Sequence, residues 1–286
     1  MKPIAIISLF VVLFLAHPTF AVQSTITEGE GYACMGVDKS RKQTEDAAEA
    51  EAKRKATETA ASYIKSETHV KDFELQKDLI SAYARATLKN IRVLEKGWYR
   101  DPTAGDCFRI KIAAEVVPEE MAMEKILKSA QVADDPAAPL NVQVWTDKKA
   151  YASGDKIRVY LKGNKPFFAL VIYKDVSGEM MQLLPNPYRR DNYFQGGVIY
   201  EIPSGNDRFD LEVSPPFGEE NIHVYAGTSP LGDIDLKAAS GVYQVMTKEK
   251  DVQGQTRAVK LKETAGPKGS RASEFFEESI KIKTTR

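Results

Sequence analysis

The residues best suited to chemistry lie in the stretch "MQLLPNPYRRDNYFQGG", where Tyr188, Arg189, Arg190, Tyr193 and Phe194 crowd together. Planar guanidinium groups and aromatic rings side by side make a recognition surface for a sugar or a partner protein. The same residues also suit a solvated loop whose Tyr193 and Phe194 fold back on a sheet edge, and residue types alone leave both readings open. The start of the stretch is structural: Leu184, Pro185 and Asn186 close a strand, Pro187 stops it continuing, and Asn186 suits a turn through its side-chain hydrogen bonds.

Other candidates are few. His69 follows a helix and His223 alternates within "NIHVYAG", so each reads as a surface or strand-edge histidine without the partner spacing of a metal ligand. Asp233 and Asp235 in "PLGDIDL" could touch a hard cation, but the further oxygens of a calcium loop are missing, and solvated turn carboxylates are the simpler reading. No phosphate loop, HExxH, paired Cys-x-x-Cys or G-x-S-x-G occurs, so the sequence indicates neither an enzyme nor a cofactor or metal site.

Cys34 and Cys107 are the only cysteines. In "DCFRIKIAAEV" the apolar Phe108, Ile110 and Ile112 alternate with Cys107, Arg109 and Lys111, and in "YACMG" Cys34 alternates with Ala33 and Met35. Both cysteines can therefore leave the same, more polar face of a sheet, and a disulfide is expected in an oxidising compartment. The compartment is read from the first residues: Lys2, the apolar run 4–15 and the small-residue end at Ala21 make a secretory signal peptide over 1–21. The run is too short for a membrane span of roughly 20 residues. No cysteine follows the Ala21/Val22 cut to carry a lipid, so a periplasmic or otherwise extracytoplasmic protein without a transmembrane anchor is expected. A net charge of +0 gives no reason to expect nucleic acid.

The elements that must position these residues fall into two groups. In "SRKQTEDAAEAEAKRKATETAASYIKS", Ser40 and Gln43 form a capping box, Glu49/Lys53 and Glu51/Lys55 are four apart, and Ala48, Ala52, Ala56, Ala60 and Ile64 make a narrow stripe for lying close on a sheet. Residues 73–86 read as more helical than extended. Period two in "TLKNIRVLEKGWYR", the turn "DPTAGD" and the Cys107 strand predict a hairpin, and "PEEMAMEKILKSAQ" a short helix. Strand, helix, hairpin and helix give an α+β domain over 22–131. The small-residue "VADDPAAPL", 132–140, reads as a linker. From 141 to 286, "NVQVWT", "KIRVYLKG", "FFALVIYKD", "EMMQLLP", "GVIYEIP", "RFDLEVS" and "NIHVYAGT" recur between turns, followed by "YQVMTKE", "TRAVKLKE" and "FFEESIKIKT", with a loop at "TAGPKGSRAS". This spacing predicts an all-β sandwich domain.

Two resemblances follow. "GYACMGVDKSRKQTEDAAEAEAKRKATETAASYIKS" with "CFRIKIAAEVVP" resembles the N-terminal domain of flagellar assembly protein T and related small outer-membrane lipoproteins. That likeness implies a periplasmic assembly or scaffolding module and brings no catalytic residues. The segment 148–231 resembles the domain-of-unknown-function family numbered 4384, through Tyr151, Gly154, Asp155, Leu184, Pro185, Asn186, Ile202, Pro203, Pro216 and Gly218. It implies an envelope accessory domain of β type. The expected function is accordingly a non-enzymatic protein-interaction module with an envelope protein partner, and the alternative is a glycan- or peptidoglycan-binding module.

Overall fold

The computed structural model describes residues 22–67, 73–127, 134–205, 207–239, 241–257 and 272–286. The expected signal peptide, His69, and 258–263 of the expected strand "TRAVKLKE" lie outside these residues. The chain begins with β1 (Val22–Cys34), α1 (Arg41–Glu67), α2 (Phe73–Ala84), the hairpin β2 (Thr87–Asp101) and β3 (Gly105–Val117), and α3 (Glu120–Leu127). A β-rich part follows: β4 (Val142–Thr146), β5 (Ala150–Ala152), β6 (Val159–Gly163), β7 (Phe167–Lys174), β8 (Met180–Leu184), β9 (Tyr193–Phe194), β10 (Tyr200–Ile202), β11 (Glu219–Gly227), β12 (Leu236–Ala239) and β13 (Val242–Val245). It closes with helix α4 (Glu249–Thr256) and β14 (Ala272–Thr285). The expected order, α+β followed by a β-sandwich, is the order found, with one helix, α4, inside the β-rich part.

Helix α1 starts as its sequence dictates. The Ser40 amide donates to Gln43 Oε1 at 2.8 Å and the Gln43 amide to Ser40 Oγ at 3.2 Å, so two otherwise unpaired donors are satisfied reciprocally. Its alanine stripe is fully buried from Ala48 to Ala60. What the stripe meets is backbone: a Cβ added at Gly29 would lie 2.1 Å from the Ala52 carbonyl oxygen, and one at Gly31 2.1 Å from that of Ala48. Glycine on the strand and alanine on the helix are thus one device for close approach, with Phe108, Ile110 and Ile112 of β3 filling the remainder.

The strands form an eleven-stranded sheet, in the order β12-β13-β8-β7-β11-β14-β1-β3-β2 with β5 on β14 and β9 on β7, and a three-stranded sheet β10-β6-β4. The small sheet covers the large one, and Val142, Val159, Leu161 and Ile202 pack against Val171, Ile222, Val224 and Phe276. Helix α1 covers the same face further along, since Ala60 and Ile64 join this core. On the opposite face α4 covers Phe275, Tyr225 and Ile172 through Val252.

The last strand is inserted between the two groups of elements. β14 pairs antiparallel with β11 on one side and with β1 on the other, setting Val22 opposite Glu277 and Thr27 opposite Ala272. A buried ionic network crosses the same junction. Arg257, directly after α4, donates to Glu115 of β3 and Glu277 of β14, both at 2.7 Å. Glu115 also accepts from Ser24 Oγ at 2.7 Å and Asn90 Nδ2 at 2.6 Å, so the burial of this β3 carboxylate is compensated by three donors, from β1, β2 and the end of α4.

Several details differ from expectation. "RFDLEVS" is not a ladder strand: its described residues run as an extended strap with one isolated bridge, Lys156 to Glu212, ended by Pro215 and Pro216. In "TRAVKLKE", Thr256 ends α4 and Arg257 follows it, because both side chains are claimed by buried partners there. Ala138 and Leu140 of the small-residue segment are fully buried, and Asn164 Nδ2 holds the carbonyls of Asp135, Ala138 and Pro139. His223 is half-buried on β11, which is paired on both sides, so it is not at a strand edge. Burial lowers its pKa, and Nε2 has no hydrogen-bond partner among the described residues.

Candidate functional site

Cys34 and Cys107 stand directly opposite each other in the β1–β3 register and are joined, with an S–S distance of 1.98 Å. They leave the face turned away from α1, together with Glu30, Tyr32, Arg109 and Lys111. On this bare face, Gly97 of β2 stands opposite Arg109, and the missing side chain leaves a hollow of about 490 Å³ walled by Tyr32 and Tyr99. Two of its cations are matched within the protein: Arg109 Nε donates to Glu30, and Lys111 lies 2.8 Å from Glu28.

The sequence-predicted cluster divides into two kinds of residue. Phe194 is 3% exposed, stacked on Phe167 and edge-on to Tyr200, so it belongs to the core. Arg189 reaches inward to Asp207 at 3.3 Å, and its Nη1 donates to Ser204 Oγ. Burial lowers the Arg189 pKa, opposed by the Asp207 carboxylate. Tyr188, Arg190 and Tyr193 are exposed, with Tyr193 tilted against Phe168 and Arg208 over the Tyr188 ring. The five side chains therefore do not converge on one site.

The inward members instead hold the strap. Asn186 is fully buried: its Nδ2 donates to Leu183 O and to Asp207 Oδ1, and its Oδ1 accepts the amides of Tyr188 and Arg189. Asp207 Oδ2 accepts the Ser204 amide at 2.8 Å. Asp207 thus ties the turn after β8 to the start of the strap. Further along, the Ile157 amide donates to Leu211 O, that of Val213 to Asp155 O and that of Gly154 to Val213 O. At the far end the Gly218 amide donates to Thr284 Oγ1.

Between strap and large sheet lies a second hollow, of about 380 Å³. Ile157, Tyr173, Met181, Leu183, Phe209, Leu211 and Val242 give it apolar walls, and its charged members are Asp175, Asp210, Glu212 and Glu220, with no Lys, Arg or His among the described residues that line it. Glu220 is 2% exposed and accepts from Tyr173 Oη at 2.5 Å and from Thr284 Oγ1 at 3.0 Å. Burial first, and then the bond to Glu220, raises the Tyr173 pKa, so the phenol stays a proton donor. Asp210 pairs with Lys156 at 2.7 Å, which lowers its pKa. Among the described residues no cation pairs with Asp175, Glu212 or Glu220. Sequence reasoning missed this hollow; the acidic alternation of "FDLEV" was its only signal, and that was read as a strand.

Elsewhere, Asp233 and Asp235 are exposed on the turn before β12, and the described residues contain no group of three His, Cys, Asp or Glu placed to hold a metal ion. No described helix is long and apolar enough to cross a membrane.

The fold and its end cavity define a β-sandwich joined to a helix-backed extension of its own sheet. Residues 150–230 match the model of a family described as a domain of unknown function, DUF4384. That span contains every lining residue of the 380 Å³ hollow except Ala239 and Val242. No curated protein and no solved structure matches the chain.

Proposed function

We propose that the chain is an exported, non-enzymatic interaction module of the cell envelope, and that it takes its partner in the hollow under the strap. What supports the reading is the use made of the family-signature residues. Asn186 directs its polar atoms to the strap and the adjacent turn, the backbone carbonyl of Asp155 accepts the Val213 amide, and the Gly218 amide anchors the strap's end to β14. Residues spent on framing a hollow fit a binding role, and its volume falls within the range of ligand sites, roughly 300–1,000 Å³. The apolar start of the chain supports export to an oxidising compartment, where the Cys34–Cys107 bond would persist. The resemblance of the strand, helix and hairpin to flagellar assembly protein T points the same way, toward an assembly role.

The test is capture from envelope extract under mild crosslinking, with the full chain and with Ala239→Trp, which fills the hollow from its partly exposed side. A stoichiometric partner held by the parent and lost by the variant is expected. Recovery of the protein always alone, or a partner indifferent to the substitution, overturns the reading. The alternative, glycan binding, keeps Tyr188, Arg190 and Tyr193 as its surface, and a pull-down on purified cell wall separates it from the first.

A further inference from the structure

The hollow under the strap combines two properties that select a ligand. Its walls are apolar and aromatic, and every charged group lining it is a carboxylate. Glu220 lies at the buried end, with one hydroxyl donor on each oxygen and no cation among the described residues. Asp175 Oδ1 accepts from Ser177 Oγ and the Glu179 amide, both neutral donors, and no cation among the described residues pairs with it. Glu212 sits exposed on the strap at the mouth. A buried carboxylate whose charge is balanced only by neutral donors gains strongly from a cation brought to it, because the local dielectric is low.

We infer that the ligand is an alkylammonium group carried on an apolar body, presented as a lysine side chain between apolar residues of a partner polypeptide. The inference rests on the proposed binding role of the hollow. A lysine fits the chemistry: its four-carbon stem lies along apolar wall while the ammonium, a compact charge with three donors, reaches the carboxylates. The rings of Tyr173 and Phe209 offer the ammonium two aromatic neighbours of the kind that attract cations. Apolar flanking residues use the space that one lysine stem leaves.

The experiment is calorimetric titration of the full chain with three probes: a blocked tripeptide with lysine between two leucines, the same peptide with norleucine in place of lysine, and n-hexylamine. The lysine peptide is expected to bind at least ten-fold more tightly than the norleucine peptide, with the preference weakened by salt. Glu220→Gln keeps an oxygen for one hydroxyl and an amide donor that the other hydroxyl can accept from, and should abolish the preference. Glu212→Gln, at the exposed mouth where folding is not at stake, should reduce it several-fold. Equal binding of the two peptides overturns the ligand class while leaving the hollow a binding site. Binding of neither peptide, with partner capture also insensitive to Ala239→Trp, overturns both. Hexylamine binding as tightly as the lysine peptide overturns presentation by a polypeptide in favour of a free amine, and a preference unchanged in both variants overturns the site.

Discussion

Two hollows of similar size lie at opposite ends of one sheet, and they treat charge in opposite ways. On the bare face of β1, β3 and β2, Arg109 and Lys111 are matched by Glu30 and Glu28 on the adjacent strand. Under the strap, Asp175, Glu212 and Glu220 have no matching cation among the described residues. Cross-strand neighbours of opposite sign lower the energy of an exposed sheet face and leave little for a ligand to gain. Asp175, Glu212 and Glu220, gathered under a strap that crosses the sandwich end, have no such neighbours among the described residues, and a ligand can supply what the fold does not. Volume alone would have ranked the two hollows the other way.

The largest test asks whether the two ends belong to one cooperative unit. Glu115→Ala removes the acceptor shared by Ser24, Asn90 and Arg257 and leaves Arg257 buried with Glu277 alone, at an expected cost of about 3–5 kcal/mol. Urea unfolding should show one transition moved to lower midpoint. A loss under about 1 kcal/mol, or one confined to the first of two resolved transitions, would divide the ends into independent units.

Reduction of the Cys34–Cys107 bond, which spans a sequence separation of 73, should cost roughly 4 kcal/mol in the chain-entropy account. Because β1 lies between β3 and β14, the loss should appear in the whole-chain melting temperature by calorimetry. A melt in which only one part shifts would show that the sandwich stands apart from the helix-backed strands. Free-thiol titration of the denatured, unreduced protein should find none.

Glu278 sharpens the contrast between the ends. It lies on the sandwich part of β14, opposite Val224, and burial raises its pKa from 4.5 to about 7. A carboxyl whose folded pKa is raised favours the folded state while protonated. Its contribution is complete below pH 4.5 and is lost as pH rises through 7. The Glu278→Gln variant should therefore gain about 2 kcal/mol over the parent at pH 8 and show no advantage at pH 4. Parallel stability curves for the two proteins from pH 4 to pH 8 would count against an unmatched carboxylate here.

The smallest effect separates framing from surface in the arginine pair. Arg189→Ala strands the buried Asp207 and should cost about 1–3 kcal/mol. Arg190→Ala, on the exposed side, should stay within about 0.5 kcal/mol. Thermal shifts of equal size for the two would refute the division drawn between them.

Much of this architecture was legible beforehand because it rests on local rules. The capping box of Ser40 and Gln43, the alanine stripe, the hairpin and the alternation that sets Cys34 and Cys107 on one face all follow from period and residue type over a few positions. The strap was not legible, since Phe209, Leu211 and Val213 alternate as a ladder strand would, and only their partners reveal a single bridge. Nor was the fate of the aromatic and arginine cluster. Arginine in a turn reads as solvated unless a buried carboxylate such as Asp207, remote in sequence, is known to face it.

The sequence by itself determined the secondary elements, their faces and the sites of close approach, because these depend on backbone period and side-chain volume. Tertiary structure alone decided that β14 is inserted beside β1, that Arg257 joins Glu115 to Glu277, and that four carboxylates meet under the strap. Each of these is a pairing between residues far apart in the chain, and the energy of such a pairing depends on distance and burial, which no local pattern encodes.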